Sequence, residues 1–227
     1  MKATAPPYQA LRSPEACLQQ AWQSRGVLAR SLWPLAALFG GLVAARRLAY
    51  RQAWLPQQEL AVPVIVVGNL IAGGAGKTPA TIAIVALLRR HGWVPGIISR
   101  GYGGRGGATP LEVRVDTPAT ACGDEPLLMR RRTGLPVVVG RNRVAAGRAL
   151  LRNHPEIDVI VSDDGLQHLR LARDAQVLVF DERGAGNGWM LPAGPLREPI
   201  PAAVPARSVV LYNAPEATTA LPGHCVQ

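Results

Sequence analysis

Lysine is nearly missing from this chain. Among 25 basic residues in 227 only two are lysines: Lys2 at the start and Lys77 within Gly68-Asn-Leu-Ile-Ala-Gly-Gly-Ala-Gly-Lys-Thr78. Where arginine serves everywhere else, one internal lysine closing a glycine loop marks a place that needs a compact, flexible ammonium rather than a planar fork. Cysteine is scarce as well. Cys17, Cys122 and Cys225 have neither metal-ligand nor disulfide-framework spacing, which argues against a disulfide scaffold or a zinc site and fits a reducing compartment. Aromatic residues make up 5%, and no basic run alternates with them. The stacking platform of a nucleic-acid binder is therefore missing, and no nucleic-acid partner is expected. Acids are few, leaving a net charge of +10. Unless arginine enrichment alone produced it, that excess calls for an anionic membrane surface or a phosphorylated substrate.

The glycine loop has the context a phosphate site requires. Residues 62–67 (Val-Pro-Val-Ile-Val-Val) read as a buried strand and residues 79–90 as a helix. Amides of such a turn and of the new helix's first residues converge on an anion, and glycines let the backbone come close. Gly73, Gly74, Ala75, Gly76, Lys77 and Thr78 are the expected ATP-binding residues, with Lys77 on the terminal phosphates and the Thr78 hydroxyl on Mg²⁺. The loop is a variant, because the first glycine of GxxxxGK[ST] falls on Ile71.

Residues 31–45 carry no charge and lie between Arg25 and Arg30 on one side and Arg46, Arg47 and Arg51 on the other. Fifteen residues fall short of the roughly twenty of a bilayer span, so a shallow, re-entrant or short tilted helix is expected. An ordinary core helix is the alternative. Trp22, Trp33, Tyr50 and Trp54 flank the run, and residues 1–60 hold seven basic side chains against two acids, which suits anionic lipid. The trailing arginines keep the remainder on the cytoplasmic side.

After the loop, apolar runs at 94–99, 136–140, 157–162, 176–180 and 208–212 read as buried strands, with helices at 127–132 and 142–152. Their alternation implies an α/β fold, a mostly parallel sheet flanked by helices, with ligands at the carboxyl ends of the strands. Polar residues follow several runs: Arg100 and Tyr102, Arg141 and Arg143, Asp163 and Asp164, Asp181 and Glu182. The glycine-rich stretch 101–107 reads as a mobile loop. A strand ending in Asp163-Asp164 offers a carboxylate to Mg²⁺; the second aspartate, with His168, orders a water or the metal shell, or else caps a helix. Asp124, opening the helix at 127–132, is a candidate general base or a helix cap. Arg100, Arg141 and Arg143 are candidates for steadying phosphate charge.

Five motifs in order carry a resemblance: 67–69 with 73–79, 99–104, 123–126 (Gly-Asp-Glu-Pro), 163–168 (Asp-Asp-Gly-Leu-Gln-His) and 191–199 (Leu-Pro-Ala-Gly-Pro-Leu-Arg-Glu-Pro). The chain resembles the tetraacyldisaccharide 4′-kinase family of lipid A biosynthesis. The resemblance implies a P-loop kinase core over 61–227, a membrane-associated segment over 1–60, and transfer of the ATP γ-phosphate to the 4′-hydroxyl of tetraacyldisaccharide 1-phosphate at the cytoplasmic face of the inner membrane. It matches Lys77 and Thr78 to the phosphates and Mg²⁺, Asp124 to the base, and Asp163, Asp164 and His168 to the metal and water network. Glu198 with Arg197 matches a late acidic motif near the metal, and Arg100 and Tyr102 match a loop implicated in the active site. Taken with the reading of the residues themselves, Arg100, Tyr102, Arg143 and Arg197 are the expected substrate or phosphate contacts, and Glu198 an expected metal ligand. Family members continue past the point where this chain stops, so a chain ending before a C-terminal lobe, with reduced or no activity, is expected. A P-loop metallochaperone or maturation NTPase, which would need Cys/His ligand clusters, and an inactive membrane-bound nucleotide-binding module are the alternatives.

Overall fold

The computed structural model describes residues 14–104 and 109–226. Lys2 and the side chain of Cys17 lie outside them, as do four residues of and beside the stretch expected to be a mobile loop. The chain opens with helices α1 (Pro14–Ala21) and α2 (Val27–Arg51), then strand β1 (Val64–Gly68) and helix α3 (Lys77–Arg90). β2 (Pro95–Ser99), β3 (Leu111–Glu112), α4 (Ala119–Cys122), α5 (Asp124–Thr133), β4 (Val137–Val139) and α6 (Arg143–Asn153) follow. The remaining strands are β5 (Val159–Asp163), β6 (Ala175–Asp181), β7 (Ser208–Asn213) and β8 (His224–Cys225).

Successive side chains of a strand point to opposite faces, and here that alternation builds two cores. Val64, Val66, Ile98, Ile160, Leu178 and Phe180 pack with Leu150 of α6 on one face. Val67, Ile97, Val161, Val177 and Val179 pack with Val85 of α3 and Met129 of α5 on the other. Burial on both faces explains why these strands read as unbroken apolar runs. The sheet has the order β3-β4-β2-β5-β1-β6-β7-β8. Every pairing is parallel except β3 with β4, an antiparallel edge. The expected mostly parallel α/β sheet is what the chain forms. β1 sits inside it, between β5 and β6, so the turn after β1 opens among the ends of β5, β6 and β7.

Two expectations need correction. The uncharged fifteen-residue run is the middle of a 25-residue helix, α2, which carries Arg46, Arg47 and Arg51 inside it. Arginine is a good helix former, so charge ends the apolar run without ending the helix. An 18-residue window of α2 has a mean hydropathy of 1.6, so by length and composition the helix is long and apolar enough to cross a membrane. Its stripe of Ala29, Ala36, Gly40 and Arg47 faces the protein, with Ala29 and Ala36 buried and Gly40 against Met190. Leu35, Leu38 and Leu42, each more than half exposed, line the other side. The second correction concerns Asp163-Asp164: a turn rather than a helix follows it, so the helix-cap alternative falls.

Candidate phosphate-binding site

The glycine loop turns on residues with a left-handed backbone. Gly73 has φ +91° and Gly76 φ +81°, and a side chain on Gly76 would begin 2.6 Å from Asn213 Nδ2 at the end of β7. Both positions need glycine. Asn69 Nδ2 donates to Gly73 O at 3.0 Å, bracing the loop from within. Among the described residues, the amides of Gly73, Gly74, Ala75 and Gly76 find no acceptor in the protein. They stand ahead of the N-terminus of α3, where helix dipole and free amides favour an anion. Lys77 Nζ donates to Asn69 Oδ1 at 3.3 Å and stands 3.6 Å from Asp164 Oδ1. Lys77 and Thr78 are each 8% exposed, so their polar ends are held close to the loop.

Asp163 closes β5 and is almost wholly buried. Thr81 Oγ1, one turn beyond Thr78, donates to Asp163 Oδ1 at 3.1 Å, and Ser99 Oγ at the end of β2 donates to Oδ2 at 3.2 Å. Burial, with the charges of Glu125 and Asp164, pushes its carboxyl up to about 6 against the Thr81 hydroxyl and Lys77. Acids crowded in a dry site create a demand for a cation. Among the described residues no three His, Cys, Asp or Glu side chains group as a metal cage. The hard oxygens of Thr78 and Asp163 suit Mg²⁺ all the same, since that ion takes one or two carboxylates and completes its shell with phosphate and water.

Asp164 adopts φ +48°, a strained conformation that aspartate tolerates better than most residues. The kink sets its carboxylate between Lys77 and Arg197, whose Nη1 lies 3.5 Å away. Arg143, the first residue of α6, is 2% exposed and supports this turn from below. It donates to Gly140 O at 2.8 Å and to the carbonyls of Asp163 and Asp164 at 3.3 Å each. Beside the turn lies a cavity of about 510 Å³ lined by Arg46, Arg100, Arg141, Arg143 and Arg197 with Tyr102, Asp164, Gln167 and His168. Burial, then Arg143 and other arginines, pushes the His168 imidazole down to about 4, so it is neutral near pH 7. Its Nε2 is buried without a partner.

Not every candidate from the sequence joins this group. Asp124 is exposed at the head of α5, and of the two neighbouring acids it is Glu125 whose charge raises Asp163. Glu198 is 8% exposed and pairs with Arg47 at 2.5 Å, with Arg173 as a further charged neighbour. It therefore stands with α2 rather than with Thr78 and Asp163. An apolar groove of about 390 Å³ runs beside it, lined by Phe39, Leu42, Val43, Leu169 and Leu191, and shares Arg46, Gln167 and Arg197 with the arginine cavity.

The chain matches a known family in sequence and in fold. The model of tetraacyldisaccharide-1-P 4′-kinase, LpxK, matches residues 28–224. The chain belongs to that family. A tetraacyldisaccharide 4′-kinase of Leptothrix cholodnii is 62% identical over 210 residues, 92% of this chain and 60% of that protein. One of Methylibium petroleiphilum is 58% identical over 224 residues, 98% of this chain and 62% of that protein. The crystal structure of Aquifex aeolicus LpxK in complex with ATP superposes with a TM-score of 0.72 at 31% identity, covering 82% of this chain and 59% of that one. The chain thus spans about 60% of the length of the relatives it matches.

Within the family frame, sequence reasoning passed over Thr81, Ser99, Glu125, Asn69 and Arg46. Thr81 carried a signal, since three residues after Thr78 on a helix is the same face. Ser99 ends a strand, as the other site residues do. Glu125 stood beside Asp124 in the 123–126 motif, but which of the two acids meets Asp163 is decided by tertiary placement, as is the approach of Arg46.

Proposed function

We propose that this chain transfers the γ-phosphoryl group of ATP to the 4′-hydroxyl of tetraacyldisaccharide 1-phosphate, with Mg²⁺, at the cytoplasmic face of the inner membrane. Residues 1–60 serve as the membrane-associated segment and 61–227 as the kinase core. One observation carries the reading: an arginine-lined cavity at Asp164, the residue that meets Lys77 of the glycine loop, shares Arg46, Gln167 and Arg197 with an apolar groove along α2. A ligand that is anionic at one end and acylated at the other fits both at once.

The loop amides and Lys77 hold the triphosphate, and the Lys77 ammonium neutralises charge on the transferring group. Thr78 and Asp163 would hold Mg²⁺, which when bound screens the phosphate oxygens. Asp124, exposed at the head of α5, serves as the base for the proton of the attacking hydroxyl. Asp164, fixed by Arg197 and the Arg143-supported turn, keeps Lys77 aimed, and neutral His168 holds a water or hydroxyl at its Nε2. Arg100, Tyr102 and Arg197 steady the substrate's phosphate, while Arg143, buried and bound to three carbonyls, holds the turn behind them rather than touching the phosphate as the sequence suggested. The exposed leucines of α2 enter the lipid, and its arginines meet anionic headgroups.

Incubating the purified chain in detergent with γ-labelled ATP and tetraacyldisaccharide 1-phosphate, with and without Mg²⁺, tests this. Label on the 4′-position only with Mg²⁺ is expected. No transfer by the chain would overturn the reading.

A further inference from the structure

Arg183, just past the end of β6, reaches across to the outer side of the glycine loop. Its Nε donates to both oxygens of Asp181, at 3.2 and 2.9 Å, and Nη2 donates to Oδ2 at 2.7 Å. The guanidinium plane is thereby fixed by a fork on a carboxylate that is itself mostly buried. From that position Nη2 donates to Gly74 O at 2.5 Å and Nη1 to Ala72 O at 3.3 Å.

The consequence follows from peptide planarity. In a trans peptide the C=O and the N–H of the next residue point in opposite directions. Holding Ala72 O and Gly74 O outward turns the amides of Gly73 and Ala75 toward the inner side of the loop. Those amides are among the four without an acceptor in the protein. A side chain on Gly73 would begin 3.0 Å from Arg183 Nη1, so glycine there makes room for the contact. We infer that Arg183, oriented by Asp181, is a positioning residue that pins two alternate peptide planes of the loop and aims their amides at a polyphosphate. Its charge adds to the attraction for the anion. The inference rests on reading the loop as a nucleotide site.

Arg183 is about half exposed, so it is no pillar of the core. Calorimetric titration of the chain with inorganic tripolyphosphate and with ATP, beside thermal melting, tests the idea. Arg183→Met is expected to weaken both ligands about tenfold or more, the scale of lost charge-assisted hydrogen bonds, with melting little changed. Asp181→Asn, which loosens the fork, is expected to weaken them by less. Arg183→Lys keeps the charge but cannot hold two carbonyls and a carboxylate in one plane, and is expected to fall between Arg183→Met and the unsubstituted chain. If Arg183→Met binds as tightly as the unsubstituted chain, the inference is overturned while the kinase reading stands. An Arg183→Lys affinity equal to that of the unsubstituted chain would assign the effect to charge alone and overturn the positioning role. If the unsubstituted chain binds neither ligand, the nucleotide reading falls and takes this inference with it.

Discussion

Thr81 Oγ1 donates to Asp163 Oδ1 at 3.1 Å and so ties the second turn of α3 to the end of β5. Both residues are buried, Thr81 at 0% exposure and Asp163 at 1%. The bond joins the helix that starts at the phosphate loop to the carboxylate facing it. Thr81→Val removes the donor and leaves a buried carboxylate with one hydroxyl partner. A loss of roughly 1–3 kcal/mol in urea unfolding is expected, with weaker Mg²⁺-dependent ATP binding. Unchanged stability would show that the bond is idle.

Asp163 and His168 oppose each other in pH dependence. Asp163 has its folded value raised from 3.8 to about 6, so the fold binds more protons than the unfolded chain in that window and loses stability as pH rises through it. His168 has its folded value lowered from 6.5 to about 4, so the fold binds fewer protons there and gains stability as pH rises. The two slopes nearly cancel between about 4 and 6. In metal-free buffer, Asp163→Asn is expected to become more stable with rising pH across that window. His168→Gln is expected to become less stable. Chemical denaturation at several pH values reads both slopes, and parallel profiles for the two variants would refute the assignment.

The Arg47–Glu198 pair fastens α2 to the body of the protein. Glu198 has a side chain only 10% exposed, so Arg47→Ala leaves a buried carboxylate with Arg173 as its remaining charged neighbour. A cost of about 1–3 kcal/mol is expected, below that of a wholly unpaired buried charge, with most of it recovered in the Arg47→Ala/Glu198→Gln double variant. A double-mutant cycle on unfolding free energies measures this. Additive single effects would mean that the pair is not coupled.

Arg143 is expected to act through the Asp163-Asp164 turn and through His168. Arg143→Met removes the donors to three carbonyls and the second contribution that depresses His168. The imidazole is expected to titrate above its present value of about 4 in a histidine NMR titration. No movement would place Arg143's charge outside His168's environment.

The frame of this site was legible in the sequence because its signals are local. β1, the glycine turn and α3 follow one another, and the apolar runs end in the polar residues that meet at the carboxyl ends of the strands. Asp163 was readable as a strand-end acid, and Lys77 as a lysine in a chain of arginines. Other features were not legible because they arise between distant segments. Arg183 meets Gly74 across 109 positions, and Arg47 meets Glu198 across 151. Strands β3 and β8 are two residues long, too short for any periodicity. The choice between Asp124 and Glu125 as neighbour of Asp163 depends on how α5 leans on α3, which packing decides.

The most direct test of the central claim is phosphoryl transfer by Lys77→Ala, measured beside its binding to anionic vesicles. Transfer from ATP to the disaccharide lipid is expected to fall by orders of magnitude while vesicle binding through α2 persists. A Lys77→Ala chain that turns over like the unsubstituted one would contradict a triphosphate held by the loop beside a lipid surface.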